Sequence, residues 1–217
     1  MSAREKVLAD VRAALADVTE PDPVKDVPVA WTHGRALETE DVVADFVEKV
    51  EDYRARVERI PAEGAPQALV AALAELGTRR VVLPRGLDPA WVEAVTSCGV
   101  EVVGDEPPLA HAELNRVDTV VTTCAVAMAD SGTIALDHAD GQGRRALTLL
   151  PDRHVCLVRT DQVVSDVPEG MATLAPAIRG GRPVTWLSGG SATSDIELSR
   201  VEGVHGPRSL FVLLLEV

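Results

Sequence analysis

The stretch Val184–Val217, VTWLSGGSATSDIELSRVEGVHGPRSLFVLLLEV, decides how the rest of the chain is read. Its first residues, Val184 to Leu187, are β-prone and break at Ser188-Gly189-Gly190. Ser194-Asp195-Ile196-Glu197 then spells a capping box, which predicts a short helix from Asp195 to about Glu202. Gly203 to Arg208 turns the chain back, and Leu210 to Leu215 is almost continuously apolar, as a strand buried on both faces requires. In an open parallel sheet a junction of strand, small-residue loop and helix start lies at the carboxyl edge, where ligands bind and free N–H groups attract anions. Turn and cap chemistry alone accounts for any one of these Ser, Thr and Gly residues. Their density beside Asp195, Glu197, Arg200, Glu202, His205 and Arg208 points to a ligand.

Upstream of this stretch, helical and β-prone segments alternate from Pro66 onward. Ala68–Leu76 and Pro89–Cys98 read as helices ended by Gly77 and Gly99, with strands at Arg80–Leu83 and Val100–Val103. Val117–Thr122, Thr133–Leu136 and Val155–Val158 are further strands, Cys124–Ala129 a helical turn and Met171–Ile178 a helix. The alternation predicts an α/β fold around a Rossmann-like parallel sheet with right-handed crossovers. At the other end, Ser2-Ala3-Arg4-Glu5 is another capping box, and Val7, Leu8, Val11, Leu15 and Val18 share one helical face, giving a helix over 3–17. Pro21, Pro23 and Pro28 impose an extended linker, after which residues 38–59 return to helical period. The expected division is an N-terminal helical appendage over 1–60, offering a face to a partner or to its own domain, and an α/β domain over 61–217.

Composition narrows the function classes. A chain of 217 residues with 46% apolar residues buries a sizeable core without staples. A net charge of −13 and only three Trp, two Phe and one Tyr disfavour nucleic acid, which needs a basic face and stacking rings. Cys98, Cys124 and Cys156 are isolated in apolar runs, so no disulfide framework, zinc site or iron–sulfur site is expected in this chain. No metal is assigned. No apolar run reaches the roughly 20 residues of a membrane span, and the amphipathic start has no signal-peptide core, so the expected compartment is the cytoplasm.

Three polar clusters follow apolar segments: Ala129–Thr133, His138–Arg145 and 188–208. Asp130 is the candidate acid, base or nucleophile, on the expectation that burial beside a strand raises its pKa; Ser131, Gly132 and Thr133 accompany it. Gly141-x-Gly143 matches neither a dinucleotide fingerprint nor a P-loop, but a glycine loop delivering Arg144 and Arg145 suits a carboxylate or phosphate. Ser188, Gly189, Gly190, Ser191, Thr193, Ser194 and Asp195 complete the anion-binding set. Ser191, Thr193 and Ser194 are expected to face the ligand, while Arg208, Glu202 and His205 fix the return turn. No serine has the GxSxG context of a hydrolase.

ADSGTIAL (129–136), DGQGRRALTLLPDRHVCLVR (140–159) and above all SGGSATSDIELSRVEGVHGPR (188–208) resemble the LUD-domain proteins of lactate utilisation, of the LutC type, from about residue 38 to the C-terminus. Related sequences read Glu-Thr-Gly-Thr where this chain has Asp130-Ser131-Gly132-Thr133, so a carboxylate is kept on a shorter side chain. The resemblance implies the NagB/RpiA/CoA-transferase-like fold. It also implies participation in the oxidation of L-lactate to pyruvate as an accessory or ligand-binding subunit, the non-cluster component of a lactate-oxidising complex whose iron–sulfur clusters sit on partner subunits. The same fold leaves an alternative, a stand-alone acyl- or phosphosugar-processing enzyme.

Overall fold

The computed structural model describes residues 2–20, 22, 25, 38–193, 201, 202 and 206–217. Two compact units divide the chain, Met1–Arg35 and Ala36–Val217. The first carries α1 (Ala3–Ala14), opened by a true capping box: the Glu5 N–H donates to Ser2 Oγ and the Ser2 N–H to Glu5 Oε2. The second runs α2 (Val42–Asp52), β1 (Arg56–Pro61), α3 (Ala65–Glu75), β2 (Arg80–Val82), α4 (Pro89–Ser97), β3 (Glu101–Val103), α5 (His111–Leu114), β4 (Thr119–Thr123), β5 (Val126–Met128) and β6 (Thr133–Leu136). It continues with β7 (Arg153–Arg159), β8 (Val163–Val164), α6 (Val167–Arg179), β9 (Thr185–Leu187), β10 (Ala192–Thr193), β11 (Val201–Glu202) and β12 (Ser209–Glu216).

Among the described residues, six strands form an all-parallel sheet in the order β1-β12-β7-β4-β2-β3. The apolar run read in the sequence is its second strand, and Leu210 to Leu215 are all buried. Alternation of side chains splits the strands between two layers. Phe211, Leu213, Val155, Leu157, Val121 and Val81 meet Leu69, Leu73 and Val95 of α3 and α4 on one face. On the other, Val212, Leu214, Cys156 and Val158 meet Phe46 and Val50 of α2 and a second sheet, β8-β5-β6-β9, which supplies Ala127, Ile134 and Leu136. That second sheet is antiparallel except for β5 beside β8, and α6 covers its far side through Leu174 against Val126, Met128 and Ala135.

Several sequence expectations change here. The helix expected over 38–59 stops at Asp52, and residues 56–61 become an edge strand because their backbone pairs with Phe211–Glu216. The unit boundary falls after Arg35 rather than near residue 60, so α2 and β1 count with the α/β body. Cys124–Ala129, read as a helical turn, contains β5, whose ladder with β6 and β8 outweighs the helix preference of its Ala and Met residues. The strand at 185–187 does not join the parallel sheet; it pairs antiparallel with β6, Leu136 opposite Thr185. Val201 and Glu202, expected in a helix, pair with Ala192 and Thr193 as a short antiparallel ladder. The helix start at Ser194 and Asp195, the proline linker and His205 lie outside the described residues.

Candidate functional site

The carboxyl edge of the parallel sheet has a natural opening. The chain leaves β2 for β3 on one side by way of α4, whereas β4 lies on the other side of β2 and hands the chain to the second sheet. Connections that diverge in this way leave a crevice between the two strand ends, here β2 and β4, where open α/β sheets hold their ligands. The segment 137–145 is laid across it. The Gly141 N–H donates to the Arg85 carbonyl after β2 (2.7 Å), and the Thr123 N–H at the end of β4 donates to the Gly141 carbonyl (2.9 Å). Gly141 has φ 80°, and a Cβ there would stand 2.8 Å from Thr123 Oγ1, so only glycine lets the chain approach this closely.

The segment is held from within. Buried Gln142 accepts the N–H groups of Asp137 (2.7 Å) and His138 (3.1 Å) and donates its own amide to Asp137 Oδ1 (2.8 Å). Asp137 Oδ2 takes Arg182 at 2.8 Å. His138 stands at φ 56°, a left-handed position that a non-glycine residue keeps only when its surroundings fix it. Its Nδ1 lies 2.7 Å from the Gly143 carbonyl and its Nε2 2.8 Å from Thr185 Oγ1. A carbonyl only accepts, so Nδ1 carries a proton.

Two cavities adjoin this segment. The larger, about 500 Å³, opens at the carboxyl edge, with Pro84, Pro108, Ala139, Leu147 and Pro183 for walls and Arg85, Glu106 and Asp140 on its rim. The smaller, about 330 Å³, has the Ser188–Ser191 loop for a floor, with Thr148, Trp186 and Pro207 around it. Arg145 lines both.

The adjacent arginines have opposite fates. Arg144 grips Asp105 with two hydrogen bonds, Nε to Oδ2 (2.7 Å) and Nη2 to Oδ1 (3.0 Å), and donates to the Leu109 carbonyl (2.7 Å). Burial pushes the Asp105 carboxyl up, but the Arg144 hydrogen bond, the Leu109 N–H and the Arg144 charge together hold it below its ordinary value; the same bond raises Arg144. Arg144 therefore pins the turn after β3 and is committed. The Arg145 side chain is exposed and makes no hydrogen bond or ion pair with any described residue. Of the two guanidinium groups it is the unpaired one.

The other residues singled out in the sequence are distributed around this centre. Ser188 Oγ sits 2.7 Å from Thr133 Oγ1, which ties the first polar cluster to the 188–191 loop. Gly189 and Gly190 thread between Tyr53 and Arg208: a Cβ on the first would meet Tyr53 Cβ and carbonyl at 2.7 Å, and on the second the Arg208 carbonyl at 2.4 Å. Among the described residues neither of their amides finds an acceptor. The Ser191 N–H donates to the Pro207 carbonyl (2.7 Å), and Thr193 lies on β10. Asp130 is exposed, so the burial on which its acid–base role rested is absent; Ser131 Oγ donates to it (2.9 Å). Gly132 packs on the backbone of Lys49 and Val50, a packing role away from either cavity. The Arg208 N–H donates to the Asp152 carbonyl (2.7 Å), and its side chain pairs with the Asp152 carboxylate at 3.7 Å, at the amino end of β12.

Sequence reasoning missed Pro84, Asp105, Pro108 and Pro183, and placed His138 in a polar cluster without assigning it to the site. Pro84-Arg85-Gly86 follows one expected strand directly and Asp105-Glu106-Pro107-Pro108 follows another after Gly104, so asking which turns share the carboxyl edge would have found them. Elsewhere the buried Cys124 thiol is pushed well up by its hydrogen bond with Cys156 and by burial, which keeps it protonated and unreactive. No group of three or more His, Cys, Asp or Glu that could hold a metal ion occurs among the described residues, and none of their helices is long and apolar enough to cross a membrane.

The model of the LUD domain matches residues 37–215. A Deinococcus radiodurans protein named Lactate utilization protein C is 46% identical over 98% of this chain and 95% of its own length. A Bacillus pumilus protein of the same name is 28% identical over 99% and 97%. The crystal structure of a DUF162 family protein from Deinococcus radiodurans superimposes with a TM-score of 0.71 at 45% identity, covering 82% of this chain and 99% of that one. The matched residues span β1 to β12, both sheets and both cavities, and the chain belongs to the LUD-domain family.

Proposed function

We propose that the chain serves lactate utilisation as an anion-binding subunit that holds the carboxylate of L-lactate or pyruvate at Arg145, over the Ser188–Ser191 loop. The observation that carries this is the unpaired Arg145 guanidinium lining a cavity of about 330 Å³ together with Gly189 and Gly190, whose amides find no acceptor among the described residues. Arginine matches a carboxylate bidentately, and backbone N–H groups add donors that cost no side-chain ordering. The relatives named Lactate utilization protein C supply the substrate class. Three isolated cysteines offer this chain no cluster ligation, so the electrons released when lactate becomes pyruvate pass to iron–sulfur partner subunits.

The test is growth on L-lactate of cells lacking the gene, complemented with the natural sequence or with Arg145→Ala. Rescue by the first and failure of the second, with equal protein levels, is the expected result. Isothermal titration of the purified chain with lactate and pyruvate checks the site directly: Arg145→Ala should weaken binding about 10-fold or more, the scale of one lost charged contact. Normal growth of the deletion strain without another lactate dehydrogenase removes the reading.

A further inference from the structure

A cavity of about 500 Å³ is far larger than a three-carbon acid needs, and its character differs from that of its neighbour. Three proline rings, Pro84, Pro108 and Pro183, and Leu147 give it rigid apolar walls. Its charges are unevenly settled. Asp105 is satisfied by Arg144. Arg85 is shared between two carboxylates, Glu106 at 3.7 Å and Asp140 at 3.3 Å, so this part of the rim has acceptor capacity to spare. On the side shared with the small-anion cavity stands Arg145, a cation with no described partner.

The geometry points to a second ligand in this cavity, a phosphorylated heterocycle of mononucleotide size, with its ring on the proline walls, its N–H edge toward Glu106 and Asp140, and its phosphate at Arg145. Three independent features agree on this class. The cavity lies at the crevice between β2 and β4, where an open parallel sheet binds such ligands beyond its strand ends. The volume falls within the 300–1,000 Å³ typical of cofactor-sized sites, with mostly apolar walls and a few convergent polar groups. On the rim the carboxylates of Glu106 and Asp140, which share the one guanidinium of Arg85, can accept from the N–H edge of a heterocycle, for which an acyl chain has no counterpart. The over-determined 137–145 segment, with His138 held at φ 56°, keeps the walls in place before anything binds.

This ligand is additional to the lactate anion and meets it at Arg145, so the two proposals are separated by the wall they depend on. The full-length protein is titrated calorimetrically with AMP and with FMN, and in parallel with inorganic phosphate and with L-lactate. Binding of AMP or FMN at least about 10-fold tighter than phosphate, weakened about 10-fold or more by Ala139→Trp while lactate binding survives that change, is the expected result. Arg145→Ala should weaken both ligands. Hydrogen exchange provides a second reading that needs no variant: the mononucleotide should protect residues 83–87, 104–109 and 137–145, and phosphate should not. Absence of binding by both mononucleotides, or phosphate binding as tightly as they do, overturns the inference and leaves the lactate reading standing. Mononucleotide binding that is unchanged in a folded Ala139→Trp protein also overturns it.

Discussion

On one face of the parallel sheet, Phe211, Leu213, Val155 and Leu157 pack against two helices; the polar groups near this layer include the buried Thr78–Thr119 hydroxyl pair and Arg56, which stands over the Phe211 ring. On the other, Leu214 and Val212 share the layer with a buried polar chain. His154 Nε2 lies 2.7 Å from Thr122 Oγ1, and Thr122 donates on to Cys156 Sγ at 3.8 Å, an order that leaves the buried His154 Nδ1 a bare lone pair. Past the end of the same strand, Gln162 donates to the Cys124 carbonyl (2.8 Å), directly after Thr123, which holds Gly141. The first face is built to hold the sheet together. The second also carries the loop that makes the site, and its polar groups are tolerated because almost all of them find partners.

Leu213 and Leu214 are adjacent on β12, both fully buried, and belong one to each layer. Truncating either to Ala should cost about 2–5 kcal/mol by chemical denaturation, the range for a buried leucine whose cavity cannot collapse. A cost below about 1 kcal/mol for Leu214→Ala alone, less than even the transfer of the deleted methylenes, would break the comparison by showing that the second layer docks loosely.

His154 distinguishes the faces by pH. Burial lowers its pKa from 6.5 to about 4 in the folded protein. Between these values the unfolded chain binds a proton that the folded one refuses, so stability is fully present above about pH 6.5 and falls as the pH drops toward 4, by roughly 3 kcal/mol at most. Asp105, held below its ordinary 3.8, adds its own loss only at lower pH still. Denaturation of the natural sequence and of His154→Gln at pH 4.5, 5.5 and 7 checks this. If the two proteins lose stability in parallel over that window, His154 is not the titrating group.

The two layers were also unequally legible. β12, β7 and β4 announce themselves as short β-branched or leucine-rich runs, and α3, α4 and α6 by their period and their Gly or Pro punctuation; these signals are local. In the second sheet β6 and β9 carry such signals, whereas β5 does not. Ala125-Val126-Ala127-Met128-Ala129 prefers helix by itself and becomes a strand through pairing with Ile134 and Val163, contacts that periodicity does not report. β1 is likewise decided by Phe211–Glu216 at the far end of the chain. At the site, glycines at 141, 143, 189 and 190 were legible as loop residues, and their close approach to neighbouring chain segments emerges only in the fold. The exposure of Asp130 was not legible, because a residue beside an apolar strand is as readily a turn at the surface as a buried group. The separation of Arg144 from Arg145 was invisible for a plainer reason: the carboxylate that claims Arg144 is 39 residues away.

That separation gives the smallest stability effect and the sharpest contrast. Arg144→Ala leaves Asp105, whose side chain is only 10% exposed, without its two charged hydrogen bonds and releases the Leu109 carbonyl. It should cost about 1–2 kcal/mol, the value of such bonds reduced for the partly exposed guanidinium. The turn at 105–109 should loosen in hydrogen exchange. Arg145→Ala removes an exposed side chain that no described group needs, and its stability should stay within about 0.5 kcal/mol of the natural protein. Its effect belongs to binding: lactate, pyruvate and mononucleotide affinities should all fall while the melting curve does not move. The converse outcome, a destabilised Arg145→Ala that still binds its anions beside a stable Arg144→Ala that does not, would reverse the roles assigned to the two arginines and move the anion to the turn after β3.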